Sequence, residues 1–553
     1  MKLILSNSIK MKSRNKERIK KQSFHLSRNL LLGNWKLLLI GFILLFFLTL
    51  LSILKYFDVG WDFFAYYLTG KSFFSDSFYS EPYRPFILPL ILGVLDKIFF
   101  FLPDKFVSVI YVILASILFF YALLLVTKKY HLNYLYSLLF FLTPYFFHYS
   151  FLEGTELLAF SILLLTIYLS PSLFDKSTKN LEYFYTKKII FLRYFLLWLL
   201  FFIRYSLFIF MIFYLIYDTF IISFKLKSSH SRTKNYKKTS LKNHFYANFI
   251  LSFLINFLIF SPWFIINFIM FRDPIMLIKD QYAQNVYFRC IPISWDKVMH
   301  HFLEIFNPLQ LFILVLFLII ILYLFFKKEY KTTLLMQKRS DLIFYLLIIL
   351  IFNIFIYLKT PTKISRYLFL SHVSLQLLSL IGFQMLLDLC SNYEKNDFLI
   401  AVMLIFIFMI IFNLFQLLNQ SLNLIHVWKD ETKLYTRIIK LVNDLNLTNY
   451  ELNSNLWVPL IFYGLNVLPS RDLSLLNYSL GIYLKTNSSW LDEATKIYPI
   501  YYNDSRLIIV GIKNQNKTKH YTYIYHKLVK YFNKEMPSTL ELFFGDYCKK
   551  IHK

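Results

Sequence analysis

The sequence predicts a polytopic, all-α membrane protein that ends in a soluble α/β domain. Of the 553 residues, 57% are hydrophobic, which exceeds the roughly 45–50% of ordinary soluble domains. Apolar runs long enough to cross about 30 Å of hydrocarbon recur along most of the chain. After residue 420 these runs shorten and charged residues appear regularly. The first two observations predict the membrane region, and the third predicts the soluble domain.

About eleven membrane crossings are expected, because each apolar run is close to the length of a spanning helix. They lie at 36–56, 106–127, 132–148, 155–170, 188–203, 205–224, 246–271, 308–326, 341–358, 368–388 and 398–419. The apolar piece 85–101 differs, since it begins at Pro85 and contains Asp96 and Lys97. We expect it to form a juxtamembrane or re-entrant helix on the outer side.

The basic residues indicate which side each loop occupies. The net charge of +28 is concentrated in a few loops between apolar runs. This pattern is typical of topology signals and of contact with membrane lipids rather than with nucleic acid. With eleven crossings, the strongly basic segments fall inside: 1–34, 128–129, 171–187, 225–242 and 327–339. The outer side receives 57–105, 149–154, 272–307, 359–367 and everything after 420.

Three regions follow from this topology. Residues 1–34 form a basic cytoplasmic N-terminus, and residues 35–420 form the polytopic membrane domain, with its first outer loop at 57–105. Residues 421–553 are expected to form an external soluble α/β domain. Within it, the apolar periodicity of 432–445 predicts a helix and the apolar run 506–512 predicts a buried strand.

The first outer loop places four charged residues between apolar sequences: Asp58, Asp62, Glu81 and Arg84. Carboxylates can accept a proton, hold a divalent cation or orient a sugar, and an arginine fork can bind phosphate. Asp62 is the candidate catalytic base, with Asp58 as a supporting substrate-binding group. Helix capping is the alternative role for Asp62.

Glu81 and Arg84 precede Pro85, where helix amides and a guanidinium could together bind phosphate. The alternative is a loop salt bridge, worth about 0–1 kcal/mol if exposed.

Further candidates lie in the other outer loops. Glu153 and Glu156 flank the start of an expected span, where a helix dipole alone would favour a glutamate by about 0.3–1 kcal/mol. Arg204 lies between apolar runs, so it should face a cavity or extend to the outer surface, because an unpaired charge in the bilayer costs at least about 2.5–3.5 kcal/mol. Arg366 and Tyr367 form an Arg-Tyr pair in an outer loop, directly before the tenth span.

Two of these patterns resemble a known group of enzymes. Trp61-Asp62 with Tyr66 close behind, followed by Glu81-x-x-Arg84-Pro85, resembles the first extracytoplasmic loop of GT-C superfamily glycosyltransferases. The resemblance covers residues 36 to about 420. It is strongest to the dolichyl-phosphate-mannose protein mannosyltransferase-like and aminoarabinose-transferase-like proteins.

The resemblance implies a cell-envelope hexosyltransferase that transfers a sugar, with inversion, from a polyprenyl- or dolichyl-phosphate donor. The acceptor would be a glycan, a lipid or a protein. It further implies that Asp62 takes the proton of the acceptor hydroxyl and that Glu156 faces it. Arg204 would lie near the lipid-linked phosphate, and the pair Arg366-Tyr367 would bind phosphate or sugar. Glu81 would lie near that phosphate or a divalent cation, which leaves a metal requirement open.

The sequence contains no Walker loop, no dinucleotide-binding glycine motif and no Asp-x-Asp motif, which argues against a nucleotide-sugar donor. Two alternatives remain. One is a transporter or flippase of lipid-linked sugars, although no inverted repeat is evident and the acidic residues collect on one face. The other is a non-catalytic membrane assembly protein whose outer domain binds partners.

Overall fold

The computed structural model describes residues 36–75, 79–81, 84–152, 154–170, 187–207, 210–214, 250, 254, 257–258, 260–269, 272–278, 295–305, 315, 330–359, 364–392, 396–469, 476, 479–485 and 489–515. Five helices in these ranges are long and apolar enough to cross a membrane: Lys36–Phe57, Asp104–Lys129, Arg339–Leu358, Ser365–Asp388 and Ile400–Asp444. The prediction of a helical membrane protein is confirmed at this level. The crossings expected at 205–224 and 308–326 lie largely outside the described residues, and the one expected at 246–271 is described only in part, with a helix at Phe260–Ile269. The count of eleven therefore remains a prediction.

The helices are α1 Lys36–Phe57, α2 Trp61–Ser72, α3 Ile87–Ile98, α4 Asp104–Lys129, α5 Tyr134–Phe140, α6 Pro144–Phe151, α7 Thr155–Leu169, α8 Lys187–Ile203, α9 Phe260–Ile269, α10 Trp295–Ile305, α11 Tyr330–Lys359, α12 Phe369–Asn392, α13 Asn396–Asp444, α14 Trp457–Phe462 and α15 Ser489–Ile497. Short 3-10 turns lie at Tyr205–Leu207, Ser365–Leu368 and Leu447–Asn449. The chain divides into two units, Met1–Leu51 and Ser52–Lys553, and every contact described below lies within the second.

Helices α4 and α7 run in the same direction. Near their starts, the hydroxyl of Tyr111 donates to the carbonyl of Gly154. At their other ends, Lys129 Nζ donates to the carbonyls of Tyr168 and Ser170, at 2.8 and 2.6 Å. The chain between them must therefore return along the bundle.

The return path is broken, whereas the sequence predicts one crossing at 132–148. It consists of α5 and α6, which are 7 and 8 residues long. Pro144 opens α6, and Thr143 caps it by accepting from the amide of Phe146. Proline disfavours helical backbone at the residue before it and lacks an N–H, so a continuous helix cannot pass this point without a kink.

Helices α11 and α12 run antiparallel to each other and define the same two ends. Arg339 pairs with Asp388 at 2.9 Å and donates to the carbonyl of His131, just beyond α4. At the opposite end, Asn353 donates to the carbonyl of Tyr367 at 3.0 Å. We call the end that carries Gly154 and Tyr367 the first-loop end, and the end that carries Lys129 and Arg339 the distal end.

Helices α2 and α3 pack closely at the first-loop end. A Cβ on Gly70 would lie 2.2 Å from the carbonyl oxygen of Pro89, so the two backbones touch. The hydroxyl of Tyr67 donates to Asp96 Oδ1 at 2.5 Å. Burial, together with the carboxylates of Asp104 and Asp96, raises the pKa of Tyr67. Helix α3 has 12 residues, which corresponds to about 18 Å, too short to cross the hydrocarbon directly.

Helix α13 passes through the expected boundary at residue 420 without a break. It contains 49 residues, and the helix expected at 432–445 is its continuation. The sequence from 396 to 444 contains neither glycine nor proline, so nothing in it ends the helix where the apolar run ends.

The segment after α13 forms a five-stranded mixed sheet in the order β2-β1-β3-β5-β4. Its strands are β1 Leu452–Ser454, β2 Leu468–Pro469, β3 Leu480–Leu484, β4 Ile500–Asn503 and β5 Leu507–Gly511. The strand predicted at 506–512 is present as β5, and it is buried along its length. One side of the sheet packs against α15 around Tyr483, Leu491 and Ile508.

Candidate functional site

Asp62 lies in the first turn of α2 and contacts two arginines from distant parts of the chain. Its Oδ2 lies 2.7 Å from Nη1 of Arg366, and its Oδ1 lies 3.3 Å from Nη2 of Arg84. The Asp62 side chain is 11% exposed and both arginine side chains are 9% exposed. The N-cap residue of α2 is Gly60, and the cap has no side-chain hydrogen bond, so Asp62 does not take the capping role that the sequence leaves open.

Arg84 is held from three directions. Besides Asp62, its Nε donates to Glu81, and its guanidinium lies 4.7 Å above the ring of Tyr66. Glu81 is almost fully buried, and its own amide donates to Thr69 on α2. The Glu81–Arg84 pair is therefore not an exposed loop bridge, and removing one partner of such a buried pair costs about 3–5 kcal/mol.

Arg366 projects from the 3-10 turn Ser365–Leu368, which α6 and α11 hold in place. The hydroxyl of Tyr145 donates to the carbonyl of Ser365, and the hydroxyls of Tyr149 and Ser365 lie 2.6 Å apart. Asn353 on α11 also accepts from the amide of Ser371, at 3.0 Å. Because hydrogen bonds from both α6 and α11 hold the turn, the backbone from which the Arg366 side chain extends is fixed in position.

Glu156 and Arg204 form a second pair beside the first. Glu156 is 1% exposed, and its Oε1 lies 3.1 Å from Nη1 of Arg204, while Thr155 donates to its Oε2. The ring of Tyr367 lies 5.5 Å from the Arg204 guanidinium and 5.3 Å from that of Arg366. Arg204 is thus paired with a carboxylate within the bundle, and this pairing offsets the free-energy cost of placing its charge between apolar runs.

Six predicted residues are therefore collected at the first-loop end: Asp62, Glu81, Arg84, Glu156, Arg204 and Arg366. We call them the arginine–carboxylate cluster. Its three carboxylates and three guanidiniums balance in formal charge, and Tyr367 lies beside two of the arginines. Glu153 lies outside the described residues.

Asp58 occupies a different position from the one expected for a substrate-binding group. Its Oδ2 pairs with Lys55 Nζ at 2.7 Å, and its Oδ1 accepts from the amide of Gly60 at 2.8 Å. Neither side chain is more than 1% exposed, so in this structure the Asp58 carboxylate is occupied by Lys55 and by the Gly60 amide, and a substrate-binding role for it remains a prediction. Sequence reasoning missed Lys55, because a lysine at the end of an apolar span is typically a residue that extends to the headgroups.

Sequence reasoning assigned no role to the two histidines of α10, His300 and His301. In the structure His300 Nδ1 lies 3.4 Å from Glu304, one helical turn on, and His301 Nδ1 lies 2.8 Å from the hydroxyl of Tyr357. Burial lowers the pKa of His301. The contact between His300 and Glu304 could have been predicted, because residues four apart are neighbours on the surface of a helix.

The described residues contain no group of three or more His, Cys, Asp or Glu side chains arranged to hold a metal ion. The three guanidiniums of the cluster can bind an anion. Each guanidinium is a planar fork suited to phosphate oxygens, and each is already oriented by a carboxylate. A phosphate that entered between them could take over these contacts and leave the carboxylate of Asp62 available to a hydroxyl group.

Comparison with solved structures found a similarity of fold. The chain is similar to the crystal structure of ArnT from Cupriavidus metallidurans bound to undecaprenyl phosphate, at 11% sequence identity and a TM-score of 0.48, covering 86% of this chain and 98% of that chain. No protein-family model and no curated protein matches the chain. The roles of individual residues therefore rest on contacts within this chain.

Proposed function

We propose that this chain is an integral membrane glycosyltransferase of the GT-C type. It would move a sugar from a polyprenyl-phosphate donor to a glycan, lipid or protein acceptor. One observation carries the proposal: the two oxygens of Asp62 contact two arginines that come from separate loops at one end of a bundle of apolar helices. A site for a lipid-linked phosphate needs this combination of cations, a carboxylate and an adjoining hydrocarbon surface.

The proposed reaction is a single displacement at the anomeric carbon. The acceptor oxygen forms a bond to that carbon from the face opposite the phosphate, and the bond between the carbon and the phosphate oxygen breaks. The electron pair leaves with polyprenyl phosphate, and the configuration inverts. Asp62 takes the proton of the attacking hydroxyl, a role that contributes typically 10²–10⁴-fold in rate.

The arginines act on the leaving group. As the phosphate gains charge in the transition state, Arg84, Arg204 and Arg366 stabilise it by charge-assisted hydrogen bonds, the kind of contribution that is usually the largest in such sites. Glu81 and Glu156 keep two of these guanidiniums oriented before the donor arrives. Arg204 has the most exposed side chain of the three, at 18%, which makes it the first contact for an entering phosphate.

We further propose that the first-loop end faces the extracytoplasmic side. The described basic residues at the distal end include Lys128, Lys129 and Arg339, which agrees with the tendency of basic loops to remain inside. The test uses a variant with Cys290, Cys390 and Cys548 replaced by serine. In intact cells, a membrane-impermeant maleimide should label Lys97→Cys and should label Lys128→Cys only after lysis. Both side chains are exposed, so accessibility to the reagent is matched, and the reverse pattern would refute the orientation.

Reconstituted protein, incubated with radiolabelled polyprenyl-phosphate sugars and membrane glycolipids, tests the activity itself. Transfer of label to an acceptor supports the proposal. Movement of the labelled lipid between leaflets without transfer would instead identify a flippase. If the label is neither transferred nor moved between leaflets, the protein would be an assembly protein. Movement without transfer and the absence of both would each contradict the proposed function.

A further inference from the structure

Two carboxylates of the cluster, those of Asp62 and Glu156, lie at the same position of their helices. Asp62 is the second residue of α2, and the N-cap of that helix is Gly60. Glu156 is the second residue of α7, and the N-cap of that helix is Gly154, whose φ of 83° lies in the left-handed region that glycine tolerates. The distance between the two acids is therefore set by how these two glycine turns sit against each other.

The turns are in direct contact. A Cβ on Gly60 would lie 3.0 Å from the carbonyl oxygen of Leu152, and a Cβ on Gly154 would lie 2.9 Å from the ring of Phe63. On its other side, the carbonyl of Gly154 accepts the hydroxyl of Tyr111 on α4. Contacts this close leave little room for one turn to shift without moving the other.

A buried ion pair joins the same two turns. Lys55 Nζ, at the end of α1, pairs with Asp58 at 2.7 Å and donates to the carbonyl of Phe151 at 3.3 Å. It also lies 3.2 Å from the centre of the Phe63 ring. Asp58 completes the connection by accepting from the amide of Gly60. One lysine thus bonds the turn before Asp62 and the chain before Glu156 at the same time.

We propose that Lys55 and Asp58 are positioning residues that fix Asp62 relative to Glu156, and with them the arginines that each acid holds. This inference rests on the proposed function for its kinetic consequence. The two side chains are 1% and 0% exposed, so they act through the turns and contact neither donor nor acceptor. Their part in catalysis is geometric, since displacing a reacting group by about 1 Å can cost on the order of 10²-fold in rate.

Lys55→Met tests the inference, with Lys129→Met as the matched control. Lys129 also donates to backbone carbonyls, those of Ile167, Tyr168 and Ser170, but it does so at the distal end. Both variants should lower the melting temperature. Only Lys55→Met should lower kcat, by at least 10-fold for the folded fraction, while the KM for the donor changes less than 3-fold. A kcat within 2-fold of wild type in Lys55→Met would overturn the proposal.

Asp58→Asn provides the second variant if Lys55→Met does not fold, since it keeps the size of the side chain and an acceptor oxygen for the Gly60 amide but removes the carboxylate oxygen that pairs with Lys55. It should also lower kcat at least 10-fold, and a wild-type kcat would again overturn the proposal. Hydrogen–deuterium exchange gives a readout that needs no activity. In either variant the amides of residues 60–63 and 155–158 should exchange faster together, whereas in Lys129→Met they should not. Coupled exchange in a protein that transfers no sugar would refute the proposed function alone, and uncoupled exchange would refute the positioning role.

Discussion

The ring of Phe64 on α2 stacks on the ring of Phe462 on α14, with centroids 3.8 Å apart and planes 10° from parallel. Three residues earlier, Trp61 meets Trp457 edge to face at 4.6 Å. The helix that carries Asp62 is therefore covered by the helix that follows β1 of the sheet. The part of the chain after α13, which we call the tail, therefore packs against the helix that carries Asp62.

Phe462→Ala should lower the free energy of unfolding by about 3 kcal/mol, because a phenylalanine that is buried and stacked leaves a cavity when truncated. It should also lower sugar transfer, since α2 loses its cover. Thermal unfolding in detergent measures the first effect. Ile497→Ala is the control, because Ile497 lies in the same region and is 62% exposed. Equal melting temperatures for the two variants would contradict the packing described.

Arg366→Lys should reduce kcat/KM for the donor by 10- to 100-fold, although the charge is kept. A lysine cannot reproduce the planar fork that reaches both Asp62 and a phosphate. Steady-state kinetics with a purified donor measures the effect. Arg437→Lys makes the same exchange at a surface pair with Asp504 and should leave kcat/KM within 2-fold of wild type. An equal response of the two variants would exclude a phosphate-binding role for Arg366.

Glu156 and Arg204 should be energetically coupled. Glu156→Gln removes the carboxylate that pairs with Arg204, and Arg204→Gln removes the guanidinium that pairs with the buried carboxylate of Glu156. Each single variant should therefore lose more stability than half of what the double variant loses. A double-mutant cycle from unfolding midpoints should give a coupling energy of about 1–3 kcal/mol. Additive effects would mean that the pair contributes no interaction energy.

Asp504 should stabilise the sheet region at neutral pH and cease to do so in strongly acidic solution. The amide of Arg506 is the main cause that lowers the pKa of Asp504 below its usual 3.8, with further contributions from the Leu507 amide, Tyr502 and Arg437. A carboxyl group whose pKa is lower in the folded state stabilises the fold above its unfolded pKa, and this stabilisation is lost as pH falls through the folded value.

Asp504→Asn should consequently lower stability at pH 7 by about 1 kcal/mol or less, since the group is partly exposed. The difference between variant and wild type should shrink below pH 3.8. Melting temperatures between pH 2.5 and pH 7 measure it. A difference that stays constant over this range would show that the charge of Asp504 is not the cause.

Much of the site could be predicted from the sequence, because charge in an apolar context is expensive and therefore informative. Arg204 was identified on that basis, and the charges of the first outer loop, Asp62, Glu81 and Arg84, stood out between apolar sequences. For Glu156 and Arg366 the resemblance given in the sequence analysis was also needed. Their pairing was not predictable. Arg366 lies 304 positions beyond Asp62 in the sequence numbering, and only the packing of α12 against the rest of the bundle brings them within 2.7 Å.

The positions where helices break or continue depend on individual residues and not on the length of the apolar runs. The break at Pro144 lies inside a run that has the length of one crossing, and the length alone predicted a single helix. Helix α13 shows the reverse case, since hydropathy ends near residue 420 while helical backbone continues to Asp444. Hydropathy reports the solvent around a segment, whereas helix continuity depends on glycine, proline and capping residues.

The most direct test of the account is the rate of sugar transfer by Asp62→Asn. The amide keeps the size of the side chain but removes the proton acceptor between Arg84 and Arg366. Asp104→Asn changes an acid at the same end of the bundle that pairs with Lys71 and is the matched control. With radiolabelled polyprenyl-phosphate sugar, Asp62→Asn should lose at least 10²-fold in kcat while remaining folded, and Asp104→Asn should stay within a few fold of wild type. Wild-type turnover by Asp62→Asn would contradict the account.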